Sequence, residues 1–271
     1  MDCLSGLKQL EAGKTNMVFT SPPYAKQRIK TYGGISEDDY LRWFLPIAAQ
    51  IKRILNDKGS FFLNIKEHSG KNGRSLYVLN LVKALCEELD LILIDTFCWT
   101  KQAYPSKVIN KFKNAWEPIY HFAKQTDINI YPERVAMPIK AHSVKRAKRG
   151  GNFKHSTNKS GFTVTYSGVK TRKTALPSNH VHIQNIVNQH SDNRWHPATF
   201  HIDLPTFFIK AFTRPGDMVV DPFAGSCTTL RACIRQRRKF IGFETIAEYY
   251  QKSLELIKKD QIQFLQHETT K

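Results

Sequence analysis

The sequence predicts an α/β fold: a layered, Rossmann-like sheet with helices on its faces. Short apolar runs of strand length alternate with segments whose apolar residues recur at helical spacing. Two of those runs, 16–20 and 218–221, stop abruptly at Pro22-Pro23 and at Pro222. In open α/β sheets the loops past the carboxyl ends of strands are where ligands bind. The alternation is interrupted once, by a basic stretch with no aspartate or glutamate between Arg134 and Ser191, which reads as an insertion into one α/β domain.

The elements follow in order. Residues 1–12 form a short helix with Leu4, Leu7 and Leu10 on one face and Asp2 in the N-cap position. The run 16–20 is a buried strand. Pro23 denies Pro22 the helical region, so Ser21, both prolines and Tyr24 stand rigidly just beyond that strand. A hydroxyl, backbone carbonyls and an aromatic face are presented together there, a set suited to holding a flat, amine-bearing ring. Residues 25–35, basic and containing Gly33-Gly34, read as a mobile loop. Ser36, followed by Glu37, Asp38 and Asp39, opens a helix whose first-turn acids suit the dipole. Its apolar positions Leu41, Phe44, Leu45, Ile47, Ile51, Ile54 and Leu55 repeat with helical spacing. A turn at Asp57-Lys58-Gly59, a strand over 60–65, a helix over 76–89 and a strand over 91–99 come next. Residues 117–123 read as a fourth strand, antiparallel at the sheet edge. Beyond Trp195 the pattern resumes as a helix over 204–212, a strand over 218–221, a helix over 227–236, a strand over 239–244 and a closing helix over 247–264.

The formal net charge of +18 implies a polyanionic partner, with nucleic acid the default. Hydrophobic content of 41% is that of a globular protein, no apolar run is long enough to span a bilayer, and Met1 opens no charged-then-apolar leader. A cytoplasmic protein without membrane contact is expected. The five cysteines (Cys3, Cys86, Cys98, Cys227, Cys233) form no C-x-x-C pair and read as reduced thiols, with no metal site. In the acid-free stretch, Lys145, Arg146, Lys148, Arg149, Lys154, Lys170, Arg172 and Lys173 are interspersed with Phe153, Phe162 and Tyr166. Basic side chains neutralise phosphates while polar and aromatic ones reach bases, so a DNA-binding lobe is expected. The alternative on composition is a solvated basic insertion.

A second chemical stretch runs from Val219 through Asp221, Pro222, Phe223, Ala224, Gly225 and Ser226 to Thr228. A strand enters a small-residue turn and then a helix, which offers backbone N–H groups to an anionic group. Glu244, at the end of the next strand, is placed to accept from both hydroxyls of a ribose. Together these describe a site for a nucleoside with an anionic tail.

Thr20-Ser21-Pro22-Pro23-Tyr24 ahead of Asp221-Pro222-Phe223-Ala224-Gly225-Ser226 resembles the beta class of DNA amino-methyltransferases. The likeness extends to His196-Pro197-Ala198, Arg214-Pro215-Gly216-Asp217, Ile241-Gly242-Phe243-Glu244 and Trp116-Glu117-Pro118-Ile119. It covers nearly the whole chain except the basic lobe. The resemblance implies a Rossmann-like methyltransferase sheet of circularly permuted motif order, with the catalytic half over 1–126, a target-recognition insertion over 127–192 and the cofactor half over 193–271. It implies S-adenosylmethionine as cofactor, with Asp2, His196, Asp221, Phe223, Gly225, Ser226, Thr228 and Glu244 around it, and Ser21, Pro22, Pro23 and Tyr24 as the catalytic loop. The substrate would be double-stranded DNA with the target base flipped out of the stack. Ser-Pro-Pro-Tyr points to N4 of cytosine, with N6 of adenine the alternative, and the absence of a Pro-Cys dipeptide argues against methylation at C5. A homodimer and, in a restriction–modification setting, a cognate restriction endonuclease are the partners the resemblance suggests.

Two departures stand out. Cys227 replaces the family's usual glycine, a substitution expected to weaken cofactor binding if the position needs positive φ or close ligand approach. The strand that usually precedes Asp2 is also lacking, so a sheet one strand short, or a start further upstream, is expected. Both leave a non-catalytic DNA-binding subunit of the same fold as an alternative. Asn64, Asp95 and Glu117, polar residues on predicted strands, receive no role.

Overall fold

The computed structural model describes residues 1–26, 34–70, 73–101, 112, 114–138, 155–157, 163–165, 174–183, 195–196 and 199–269. The expected loop over 25–35 therefore falls largely outside the described residues. The same holds for all eight candidate DNA-binding side chains, Lys145 to Lys173.

Two compact units divide the chain, one comprising Met1–Tyr131 with Asn179–Lys271, the other Pro132–Ser178. In the first, helix α1 (Cys3–Gln9) begins at Asp2, whose carboxylate accepts from Ser5 N–H at 2.9 Å. Strand β1 (Thr15–Thr20) leads through the proline loop to α2 (Glu37–Ile54), capped by Ser36 accepting from Asp39 N–H at 3.0 Å. Strand β2 (Leu55–Asn64) follows directly. Asp57-Lys58-Gly59, expected as a turn, is a bulge inside this strand: Thr15 faces Leu55 but Met17 already faces Ser60. A small hairpin, β3 (Ser69–Gly70) and β4 (Gly73–Arg74), precedes α3 (Tyr77–Glu87), β5 (Ile92–Thr100) and β6 (Trp116–Ala123).

The second unit contains a 3₁₀ turn at Pro132–Val135 and two antiparallel pairs, β7 (Met137–Pro138) with β10 (Thr174–Ala175) and β8 (His155–Thr157) with β9 (Thr163–Thr165). The chain returns to the first unit at β11 (His180–His182), then α4 (Asp203–Phe212), β12 (Met218–Asp221), α5 (Thr228–Arg235), β13 (Lys239–Gly242) and α6 (Ala247–Thr269).

The main sheet has seven strands in the order β11-β5-β6-β2-β1-β12-β13. All neighbouring pairs are parallel except those made by β6, which runs antiparallel to both β2 and β5. This corrects the expectation of β6 as an edge strand; it lies inside the sheet. One edge is β11, a segment counted from the sequence within the 127–192 insertion, and the compact second unit spans Pro132–Ser178. His180–His182 is too short and too polar to announce itself as a strand; pairing with Cys98–Thr100 and a bond from the Trp99 indole N–H to Ile183 O at 2.8 Å hold it.

Alternation along the strands separates two cores. Val18, Phe61, Leu63 and Phe122 are buried with Leu7 of α1, Phe44, Ile47 and Ile51 of α2 and Leu81 of α3. On the opposite face Phe19, Phe62 and Phe97 close on Phe208 of α4, with ring centroids 5.2, 4.7 and 5.0 Å away. His121 lies in that aromatic layer, stacked on Phe62 at 4.3 Å and bonded to Ser60 Oγ at 2.9 Å. The strand carboxyl ends are thereby fixed from both sides, and the chain departs in opposite directions from β1 (to β2) and from β12 (to β13). The crevice between β1 and β12 is the topological switch point.

Candidate active site

At that crevice the two proline-broken loops meet. Parallel pairing of Met17 with Val219 and Val18 with Val220 brings Thr20 beside Asp221, and Thr20 Oγ1 donates to Asp221 Oδ1 at 2.7 Å. The same oxygen accepts from Phe223 N–H at 3.1 Å, folding the loop back over the strand end. Asp221 is buried, and desolvation pushes its carboxyl up to about 6 despite these bonds. A cavity of about 610 Å³ opens here, within the size range of small-molecule sites. Its wall includes each of Ser21, Pro22, Pro23 and Tyr24 and each of Asp2, His196, Asp221, Phe223, Gly225, Ser226, Thr228 and Glu244.

The 221–228 loop is held by its surroundings. Gly225 has φ +51°, and a Cβ there would stand 2.9 Å from the His196 ring. Its carbonyl accepts from the buried Ser253 hydroxyl of α6 at 2.8 Å. Buried His196 meets Trp195 and Tyr249 edge-on at 5.8 and 4.8 Å, so it braces the glycine. Cys227 is left-handed, with φ 58° and ψ 28°. The position does require positive φ. Its thiol, however, is buried with Ala224, Leu230, Ile234 and Ile257 and does not line the cavity, so close ligand approach is not what the position requires. On the neighbouring strand end, Glu244 uses Oε1 to accept from Ile246 N–H at 2.8 Å and its carbonyl to accept from the Met1 ammonium at 3.0 Å. A carboxylate retains further acceptor sites for a diol. Asp2 serves α1 as its N-cap and also borders the cavity.

At the other end of the cavity the Tyr24 hydroxyl lies 3.5 Å from Ser21 Oγ and 3.3 Å from both Asn64 Oδ1 and Glu117 Oε2. Burial first, then the Glu117 charge, raises the phenol well above its ordinary range, so Tyr24 is a neutral donor. Asn64 donates to Pro118 O at 3.1 Å, and Tyr40 donates to Pro23 O at 2.8 Å, which buttresses the proline loop. Glu117 is ion-paired with Lys101, whose ammonium lies 4.4 Å from the Trp99 ring centre. Nearby Lys66, lowered to about 8 by burial, donates to Trp116 O.

Glu117, Asn64 and Lys101 are cavity residues that the sequence analysis did not assign. Asn64 ends a parallel strand, and that position was a usable signal. Glu117 opens its strand, and only the antiparallel direction of β6 carries a strand's amino end to the sheet's carboxyl edge. Cys3 also lines the cavity, but burial holds its thiol up at about 12, so no thiolate nucleophile is offered.

A small-residue loop, a strand-end acid and a Ser-Pro-Pro-Tyr loop thus share one cavity at the switch point of an α/β sheet. Residues 15–255 match the model of the N6/N4 DNA methylase family, and the chain belongs to that family. It is 31% identical over 266 residues to the type II methyltransferase M.PvuII of Proteus hauseri, covering 92% of this chain and 79% of that one. Against the DNA adenine methyltransferase YhdJ of Escherichia coli (strain K12) it is 24% identical over 257 residues, covering 93% and 79%. The solved structure of the PvuII DNA methyltransferase (cytosine-N4-specific) superposes with a TM-score of 0.72 at 26% identity, covering 98% of this chain and 91% of that one.

Proposed function

We propose that the protein transfers a methyl group from S-adenosylmethionine to N4 of a cytosine flipped out of duplex DNA. The observation that carries this reading is the single cavity joining the Ser21–Tyr24 loop to the 221–228 loop and Glu244, locked by the Thr20–Asp221 bond. Likeness to the cytosine-N4-specific PvuII enzyme supports cytosine, and the type II name of that relative supports a restriction–modification setting.

The residues present fit the cofactor. Glu244 has acceptor capacity for the ribose hydroxyls, Asp2 and Ile246 border the same end, and Phe223, Gly225, Ser226 and Thr228 would surround the amino-acid portion. Asp221 acts through the loop, since its Oδ1 is engaged by Thr20 and Phe223. When bound, the cofactor supplies an electrophilic methyl group on a sulfonium centre. The Ser21 hydroxyl and Pro22 carbonyl accept from the target amine, drawing its lone pair out of conjugation, while Tyr24 offers an aromatic face to the base. Orientation of two bound reactants and placed dipoles supply the rate gain. Ser21 is not a nucleophile, and direct transfer requires none. Residues 132–178, which include the basic stretch from Lys145 to Lys173, would read the DNA sequence. A homodimer and a partner endonuclease remain part of the proposal.

The test is methylation of mixed-sequence duplex DNA with labelled S-adenosylmethionine, followed by nucleoside mass spectrometry, with Ser21→Ala and Tyr24→Ala in parallel. N4-methylcytosine from the wild type, reduced by about 100-fold or more in either variant, is expected. N6-methyladenine in its place would overturn the choice of base, and full activity in both variants would overturn the site.

A further inference from the structure

Among the described residues, the cavity holds one cationic side chain that the proposed chemistry does not use. Lys101 follows β5, and its ammonium is ion-paired to Glu117 and backed by the Trp99 ring. Only 21% of its side chain is exposed, and 13% of that of Glu117. A half-buried pair of this kind costs desolvation, and replacing it with apolar residues would often be neutral for stability. Its place in the cavity wall, joined through Glu117 to the Tyr24 hydroxyl, suggests what it does.

Cytosine and adenine both present an amine beside a ring nitrogen that accepts. They differ at the next position, which is a carbonyl oxygen in cytosine and a C–H in adenine. Ser21 and Pro22 would satisfy the amine of either base, and the further acceptors Asn64 Oδ1 and Glu117 alone would repel the cytosine lone pairs. An ammonium paired with Glu117 in the same cavity wall offers the opposite sign to the oxygen that cytosine carries. It has two N–H bonds beyond the one directed at Glu117.

We infer that Lys101, held by Glu117, is a specificity-determining residue that donates to O2, and through it to the N3–O2 edge, of the target cytosine. The inference rests on the cytosine reading of the preceding section. Glu117 sets the orientation of the ammonium, and the Trp99 face limits its swing. Adenine in the same position leaves a desolvated donor unpaired, which is how a site built to bond a substrate group rejects an analogue lacking it.

The experiment uses the full-length protein and a duplex carrying its methylation site, mapped first by sequencing modified DNA. One substrate has the target cytosine paired with guanine; the other has adenine opposite that same guanine. Initial rates give kcat/KM for each, and each variant is compared with wild type on the same two duplexes, so that penalties from the altered site cancel. Lys101→Met is expected to lower the cytosine-to-adenine ratio of kcat/KM by about tenfold or more, from the loss of a charge-assisted bond, while Lys101→Arg, which keeps donors, retains most of it. A fall of equal size on both duplexes, with an unchanged ratio, would overturn the inference and make Lys101 structural. An unchanged cytosine rate would overturn it as well. Thermal melting of each variant reads folding separately. Should the wild type methylate only adenine, it is the proposed function that fails, which the wild-type rates alone reveal.

Discussion

At the scale of single residues, the loop that closes the cofactor end carries a conformational cost. Cys227 sits at φ 58° with no side-chain cap for α5, in a region that costs an L-residue about 1–2 kcal/mol. Its buried thiol contributes packing with Leu230 and Ile257, so replacing it involves opposing effects. Comparing Cys227→Gly with Cys227→Ala removes the packing difference, because both lose the sulfur. The glycine variant should be the more stable by about 1 kcal/mol in urea denaturation. Equal midpoints and slopes would show that the left-handed backbone costs nothing there. Gly225 shows the opposite constraint. Its φ of +51° and the His196 ring 2.9 Å from a would-be Cβ leave no room for a side chain, so Gly225→Ala should weaken cofactor binding by about tenfold or more in calorimetry. The identity of these loop residues was legible from the sequence. The left-handed turn at Cys227 was foreseen only as a condition, because a backbone angle is set by what the loop must bridge.

At the scale of elements, two buried titrating groups on separate strands of the main sheet oppose each other. Burial lowers His121 of β6 from 6.5 to about 3, and raises Asp221 of β12 from 3.8 to about 6. Between pH 6 and pH 4 the unfolded chain holds a proton on His121 that the folded chain lacks. This term makes stability fall on acidification, by up to about 1.4 kcal/mol per pH unit. Over the same window the folded chain holds a proton on Asp221 that the unfolded chain lacks, which makes stability rise on acidification by a similar amount. The two contributions nearly cancel in the wild type. His121→Phe, which keeps the aromatic layer, should therefore gain stability relative to wild type as pH drops from 6 to 4. Asp221→Asn, which keeps an acceptor for Thr20, should lose it. Denaturation curves at three pH values read both signs, and parallel curves for all three proteins would contradict the burial argument. The element reading was also where sequence and structure parted. Strands β1, β12 and β13 announced themselves by apolar runs that end in breaker residues. The bulge at Asp57-Lys58-Gly59 looked like a turn, because turn-forming residues are the same in both settings and only pairing with Thr15–Met17 distinguishes them.

At the scale of the whole molecule, charge is the dominant feature. The net +18 and the acid-free span between Arg134 and Ser191 give the proposed DNA-binding reading its quantitative consequence. Affinity for non-specific duplex should fall linearly in log–log plots against salt, with a slope of about −0.9 per phosphate neutralised. Replacing Lys145, Arg146, Lys148 and Arg149 with alanine should reduce that slope by roughly one unit for each lost phosphate contact. A slope unchanged by the quadruple variant, measured by fluorescence anisotropy, would remove those residues from the DNA surface. Among the described residues no helix is long and apolar enough to cross a membrane.

The sequence by itself determined where the two chemical loops lie and which residues they carry, because strand runs, proline breaks and helix caps are local signals. It also determined the apolar, buried character of β1 and the charge of the whole. Tertiary structure alone decided that β6 runs antiparallel inside the sheet and that His180–His182 closes its edge. Those are choices of pairing partner across dozens of residues, made by backbone hydrogen bonds that any residue can supply. From the direction of β6 follows the meeting of Glu117 with Tyr24 and Lys101, since a strand's direction determines which of its ends faces the cavity.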